Sequence, residues 1–291
     1  MNFGTTPQGA QLLNNQIYVA LYGEGAIARV EDYLGLFPKI TLFPVEGKPL
    51  DLRHGLGSET IFFVTRYDQD SVIAVDTENG QLLQDWIVGS GPSYFSEVID
   101  SEGTAYLPSQ FANILSAFNI NRGTIERSYR TGASPRTVDV GRLGRTAYVT
   151  NTAEDSISVV DLFSGLDQRI WLPTGSSPQG VKILPGDSTL LVSAPGMDAV
   201  LFVNLTSGFS QQVTLNVGPE PMGVALSEDG SLAFVTNYGG DSLSVIDTAT
   251  RAVIQLEPTQ RGPNSVRVFG DTVLVSNEEA NSISVFQIVQ S

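Results

Sequence analysis

One histidine stands in the chain, His54, and it adjoins Arg53. Imidazole titrates near neutrality and a neighbouring guanidinium can hold an anion. The pair therefore has the composition of a general acid/base with an anion-holding partner, and His54 and Arg53 are the candidate catalytic residues. Further cations occupy related positions: Arg66, Arg136, Lys182 and Arg267. A guanidinium presents a two-pronged donor that suits carboxylate or phosphate. With the amides of Asn151, Asn237 and Asn277, these residues form a candidate ligand-binding set for a small anion. The same side chains have an internal alternative. The cations can pair with Asp51, Glu97 and Asp139, and the amides can join neighbouring segments by hydrogen bonds. Glu220, Glu278 and Glu279 offer oxygen ligands for Ca²⁺, without the spacing of an EF-hand. No other cofactor is expected: with no cysteine and one histidine, no metal site of those ligands can form.

Composition narrows the function classes. The formal net charge is −15, with 16 Lys and Arg against 31 Asp and Glu. Such a surface repels nucleic-acid phosphates and anionic lipid, so no nucleic acid is expected as a partner. No apolar run of spanning length exists, so no membrane insertion is expected. There are only three lysines, Lys39, Lys48 and Lys182, and the chain opens without the cationic and apolar segments of a secretory leader. Low lysine with abundant Asp, Ser, Thr and Gly suits a periplasmic, extracellular or surface protein whose leader has been removed.

The elements that must position these residues repeat. Prolines recur at Pro7, Pro49, Pro92, Pro135, Pro178, Pro221 and Pro263, spaced by 42, 43, 43, 43, 43 and 42 residues. Each is followed by four short apolar runs separated by turn residues; between Pro221 and Gly262 these are Val224–Leu226, Leu232–Val235, Leu243–Ile246 and Ala252–Leu256. Such runs, bounded by Gly, Asp and Asn, read as antiparallel strands. Four strands per repeat of about 42–43 residues is the pattern of a propeller blade. The expected fold is all-β, a seven-bladed β-propeller with four-stranded antiparallel blades and almost no helix, forming a single domain over 1–291. The third strands start after Asp70, Asn113, Asp155, Asp198, Asp241 and Asn281 and mostly end on Asp76, Asn119, Asp161, Asn204 or Asp247. Asx residues at such ends bond the backbone of the adjoining turn. Repeat one departs at Glu31–Leu36, where an irregular or short helical excursion is expected.

Ala147–Leu162 (AYVTNTAEDSISVVDL) and Ala233–Thr250 (AFVTNYGGDSLSVIDTAT) resemble the YVTN β-propeller repeat family, with Tyr-Val-Thr-Asn intact at Tyr148–Asn151. The resemblance covers essentially the whole chain. It implies WD40-like blades; members include surface-layer-type proteins, periplasmic propellers and lactonase-like enzymes, the last using a histidine with arginines near the axis. The motif specifies a blade and not an activity.

The leading functional expectation is a non-enzymatic binding or interaction propeller, monomeric, whose axial mouth takes a small anionic ligand or another protein. The alternatives are a lactonase-like hydrolase acting on a small anionic substrate through His54 and Arg53, and an accessory subunit of an oxidoreductase. Ring closure should place the N-terminal residues beside blade seven, completing only the tail of its fourth strand and implying trimming upstream of Met1. The Asn204-Leu205-Thr206 sequon is weak, because such triplets arise often by chance.

Overall fold

The computed structural model describes residues 5–55, 60–96, 103–206 and 212–289. Seven antiparallel sheets follow one another in chain order. Blade one runs Pro7–Leu13, Gln16–Leu21, Ala26–Glu31 and Lys39–Pro44, each strand paired with the next. Blades two, four, five and six repeat this order. In blade three the strands Thr104–Ser109, Ile114–Asn119 and Thr124–Arg130 form the ladder, and the innermost position is held by a Pro92–Ser109 bridge. Blade seven runs Pro263–Phe269, Thr272–Asn277 and Ser282–Gln287. Helix among the described residues amounts to two short 3₁₀ turns, Pro195–Met197 and Tyr238–Gly240. The all-β, seven-bladed expectation holds. The excursion in repeat one is irregular rather than helical and buries Tyr33.

Apolar clusters lie between successive blades rather than within them, so the core is divided into interfaces. The second strands supply their centre: Val19, Val64, Leu107, Val149, Val192, Val235 and Val275 are all fully buried. Each contact of this kind serves two blades at once, which makes a lone blade unstable.

A second device joins the blades through Asx residues. Asp70, Asn113, Asp155, Asp198, Asp241 and Asn281 all adopt φ between 48° and 55°. Short Asx side chains tolerate this left-handed region better than most residues. Each accepts a hydrogen bond from a backbone N–H at the entry to the next blade: Gly91, Ser134, Ser177, Glu220, Gly262 and, across the ring seam, Thr6, at 2.7–2.9 Å. The Thr6–Asn281 bond places the start of blade one against blade seven; residues 1–4, which the closure expectation also concerned, lie outside the described residues. The Asx residues that end the third strands also bond their turns, as in Glu78 N–H to Asp76 and Ser164 N–H to Asp161.

Candidate functional site

The first strand of each blade approaches the axis, and a register shift at its start decides what faces there. Pro49 pairs Arg66 and Asp51 pairs Thr65; the same slip follows Pro135, Pro221 and Pro263. A bulge of this kind re-aims side chains. It turns two registers toward one space: the residue after the proline (Arg136, Gln179, Met222, Asn264) and the residue further along (Arg53, Lys182, Arg267). Close approach demands glycine. A Cβ on Gly180 would lie 2.8 Å from the Met222 carbonyl, and one on Gly223 2.9 Å from the Val266 nitrogen. The resulting axial cavity, about 80 Å³, is walled by Val181, Val224 and Val266 on one side and by Tyr94 and Phe95 on the other.

Beneath it lies a buried ion cluster. Asp51 is fully buried. It accepts from Arg53 Nη1 at 3.2 Å, Arg267 Nη2 at 2.8 Å and the Phe95 N–H at 3.0 Å. Arg53 also donates to the Leu52 and Phe95 carbonyls, at 2.9 and 3.2 Å. Lys182 Nζ lies 3.8 Å from Asp139, which accepts the Ile183 N–H at 2.8 Å. The internal alternative thus holds for Arg53, Arg267 and Lys182: they border the cavity, but each faces a carboxylate that locks first strands together. Glu97 is outside the described residues.

Arg136 differs. Its guanidinium sits 5.7 Å from the centre of the Tyr94 ring, a cation–π arrangement, and no carboxylate among the described residues is within ion-pair distance. Tyr94 donates to Gln8 Oε1 at 2.9 Å, and burial, opposed by Arg136, pushes its hydroxyl up to about 12. Asn264 donates to Gln8 Oε1 at 2.6 Å and to Glu278 Oε2 at 3.0 Å. Gln179 Oε1 is buried and accepts from no described group. A buried acceptor is ordinarily satisfied. The cavity therefore presents one guanidinium, that of Arg136, with no ion pair among the described residues.

Four of the expected ligand-binding residues are elsewhere. Asn151, Asn237 and Asn277 have no exposed surface. Their Nδ2 groups donate to paired serines on the adjoining third strand: Ser156 and Ser158, Ser242 and Ser244, Ser282 and Ser284, at 2.9–3.2 Å. Arg66 fills the same slot in blade two, bonding Ser71 at 3.0 Å and Asp85 at 2.5 Å. The correction has a legible cause: serine stands five and seven residues after each of the three asparagines, on one face of the next strand.

His54 and Arg53 are neighbours in one strand, so their side chains leave on opposite faces. Arg53 borders the cavity and His54 is not among its lining residues. His54 Nδ1 meets Gln11 Nε2 at 3.3 Å, and burial, reinforced by Arg53, holds the imidazole below its ordinary range. The expected acid/base pair is not assembled in one space. Among the expected Ca²⁺ ligands, Glu279 accepts from the Tyr238 hydroxyl at 3.2 Å and pairs with Arg261 at 3.4 Å. Burial, together with Glu278 and Glu279, raises Tyr238 to about 12. No group of three or more metal-ligating side chains occurs among the described residues. Tyr94 lines the cavity and was missed: two residues after Pro92, it had no periodic signal.

No family model and no curated protein matches the chain. Solved structures match it over nearly its whole length. Hydrazine synthase of Kuenenia stuttgartiensis shares 17% identity over 99% of this chain and 97% of its own, with a TM-score of 0.82. Virginiamycin B lyase of Staphylococcus aureus, crystallised with quinupristin, shares 15% over 99% and 98%, with a TM-score of 0.81. A streptogramin B lyase shares 15% over 98% and 95%, with a TM-score of 0.79. At these identities the likeness is one of fold: the seven-bladed propeller.

Proposed function

We propose that this protein is a non-enzymatic, monomeric, single-domain binding propeller acting outside the cytoplasm, and that its axial mouth holds a small anionic ligand on Arg136. The carrying observation is the state of that guanidinium. Every other cation bordering the cavity faces a carboxylate, whereas Arg136 rests on an aromatic face and lines the cavity with no ion pair among the described residues. Gln179 also lines the cavity, so a small carboxylate with a further polar group fits best. A charge-assisted bond in such a partly dehydrated space contributes about 1.5–3 kcal/mol. The global charge does not prevent it, since fields are screened over about 8 Å at physiological salt. The YVTN resemblance agrees with a binding role on a regular propeller.

The hydrolase alternative needs His54 at the substrate. Its position apart from the cavity, with a depressed affinity for protons, argues against that. Two of the fold neighbours are lyases, which keeps an activity assay relevant. The test is calorimetry with small hydroxycarboxylates, alongside a lactone panel on wild type and His54→Ala. Binding is expected to fall at least about tenfold in Arg136→Ala, which removes one charge-assisted contact. Unchanged binding in that variant overturns the reading, and turnover lost with His54 replaces it with the hydrolase.

A further inference from the structure

The outer strands of blades one to five each drive one side chain into the wedge shared with the next blade. The ladder registers identify that side chain by its partner on the third strand. Phe43 pairs Ile27, Trp86 pairs Val72, Tyr129 pairs Leu115, Ile170 pairs Ile157 and Leu215 pairs Val200. All five are large and apolar, and each belongs to an inter-blade cluster. In blade six the same position, paired with Leu243, is Glu257. It is half-buried, receives a hydrogen bond from Gln255, and makes no ion pair among the described residues.

Beside this exception there is open space. Between blades six and seven lies a cavity of about 1080 Å³, floored by Phe234, Leu243, Val245, Val273 and Phe286. Glu257 stands in its wall; the exposed carboxylates of Glu228, Asp229 and Asp271 border it; no Lys or Arg lines it. An apolar floor with an unneutralised carboxylate beside it has one complementary ligand chemistry. A cationic head group meets Glu257, and an apolar body replaces the missing wedge side chain.

We infer that this inter-blade cavity is a second binding site, distinct from the axial mouth, and that it takes an amphipathic organic cation, an ammonium carrying a short apolar body, held by Glu257. The site exists because one position in a repeated interface has exchanged hydrophobic filling for charge.

The experiment is calorimetry on the full chain with hexylammonium as the probe, and hexanoate and hexanol as the same body with opposite or no charge. Hexylammonium is expected to bind at least about tenfold more tightly than hexanol, and hexanoate not at all, for a charge-assisted contact of ordinary strength. Glu257→Gln keeps the shape and removes the charge; it should cut hexylammonium affinity by the same factor and leave hexanol unchanged. Glu257→Leu restores the repeated wedge and should abolish binding of both while raising the melting temperature. Hexanoate binding as well as hexylammonium, an unaltered affinity in Glu257→Gln, or no uptake of hexylammonium at millimolar concentration would each overturn the inference.

Discussion

Two polar registers run around this ring close to the same face, and they do opposite things. The register that ends the second strands holds Asn151, Asn237 and Asn277, with Arg66 as a substitute. Each is buried; the asparagines spend their donors on hydroxyls of their own blade, and Arg66 divides its own between a hydroxyl and the Asp85 carboxylate. The register that follows the prolines faces the axis. There Arg136 keeps a guanidinium that no carboxylate among the described residues pairs. The first register repeats and the second varies, and that is the lesson. A side chain that recurs at the same place in several blades is answering a demand of the blade. One that occurs once is free to answer something else. Both singular positions argued above, Arg136 at the axis and Glu257 in the wedge, follow this rule.

The largest expected effect comes from removing the one group that serves both first-strand cations. Asp51→Ala leaves Arg53 and Arg267 buried beside no counter-charge, at a cost of about 3–5 kcal/mol. Thermal unfolding should register it as a large fall in Tm, or as loss of folded protein. If Asp51→Ala melts like wild type, the axial ions are not structural and the contrast between the registers fails. Next in size is the repeated slot. Asn237→Ala strands the Ser242 and Ser244 hydroxyls and should cost about 1–3 kcal/mol in denaturant unfolding, without touching axial ligand binding. Arg136→Ala should do the reverse. It has no ion pair to lose, only its cation–π contact with Tyr94, so its stability should fall by no more than about 1 kcal/mol while ligand affinity falls. A destabilisation as large as that of Asn237→Ala would make Arg136 another structural cation.

The smallest expected effect is a pH dependence. His54 binds protons less readily in the fold than the ordinary value of 6.5, chiefly through burial and then through Arg53. The unfolded chain therefore takes up protons first as pH drops. The neutral imidazole's contribution is fully present above about 6.5 and declines as pH falls from there toward the folded-state value. The slope of Tm against pH in that window should flatten in His54→Gln. A slope that persists unchanged assigns it to the carboxylates instead.

Much of the fold could be read from the chain. Proline spacing gave the blade count, and Asx residues at strand ends gave the turns, because each reports a local backbone demand repeated several times. The site was less legible for a related reason. Arg53, Arg136, Lys182 and Arg267 were found from their place after the prolines. What sequence could not reveal was which carboxylate each would meet, since Asp51 and Arg267 are brought together only by ring closure. The asparagines were misplaced because an amide named in isolation looks available, although the serines that consume it stand five and seven residues on. Tyr94 escaped because blade three replaces its innermost strand with a single bridge, breaking the period there.

Ring closure also sets how the molecule would answer to force. The seam between Thr6 and Asn281 carries the same Asx clasp found at the five junctions from blade two to blade seven, at 2.8 Å, yet no peptide bond backs it up. Tension applied through the two ends of the described chain, Thr5 and Val289, would meet this clasp and the blade-seven contacts of Ala10, Ile17 and Tyr33 before reaching any covalently continued interface. The propeller is in this sense a belt with one buckle. Its mechanical strength would be that of a single interface in shear, and rupture would begin there and run from blade to blade.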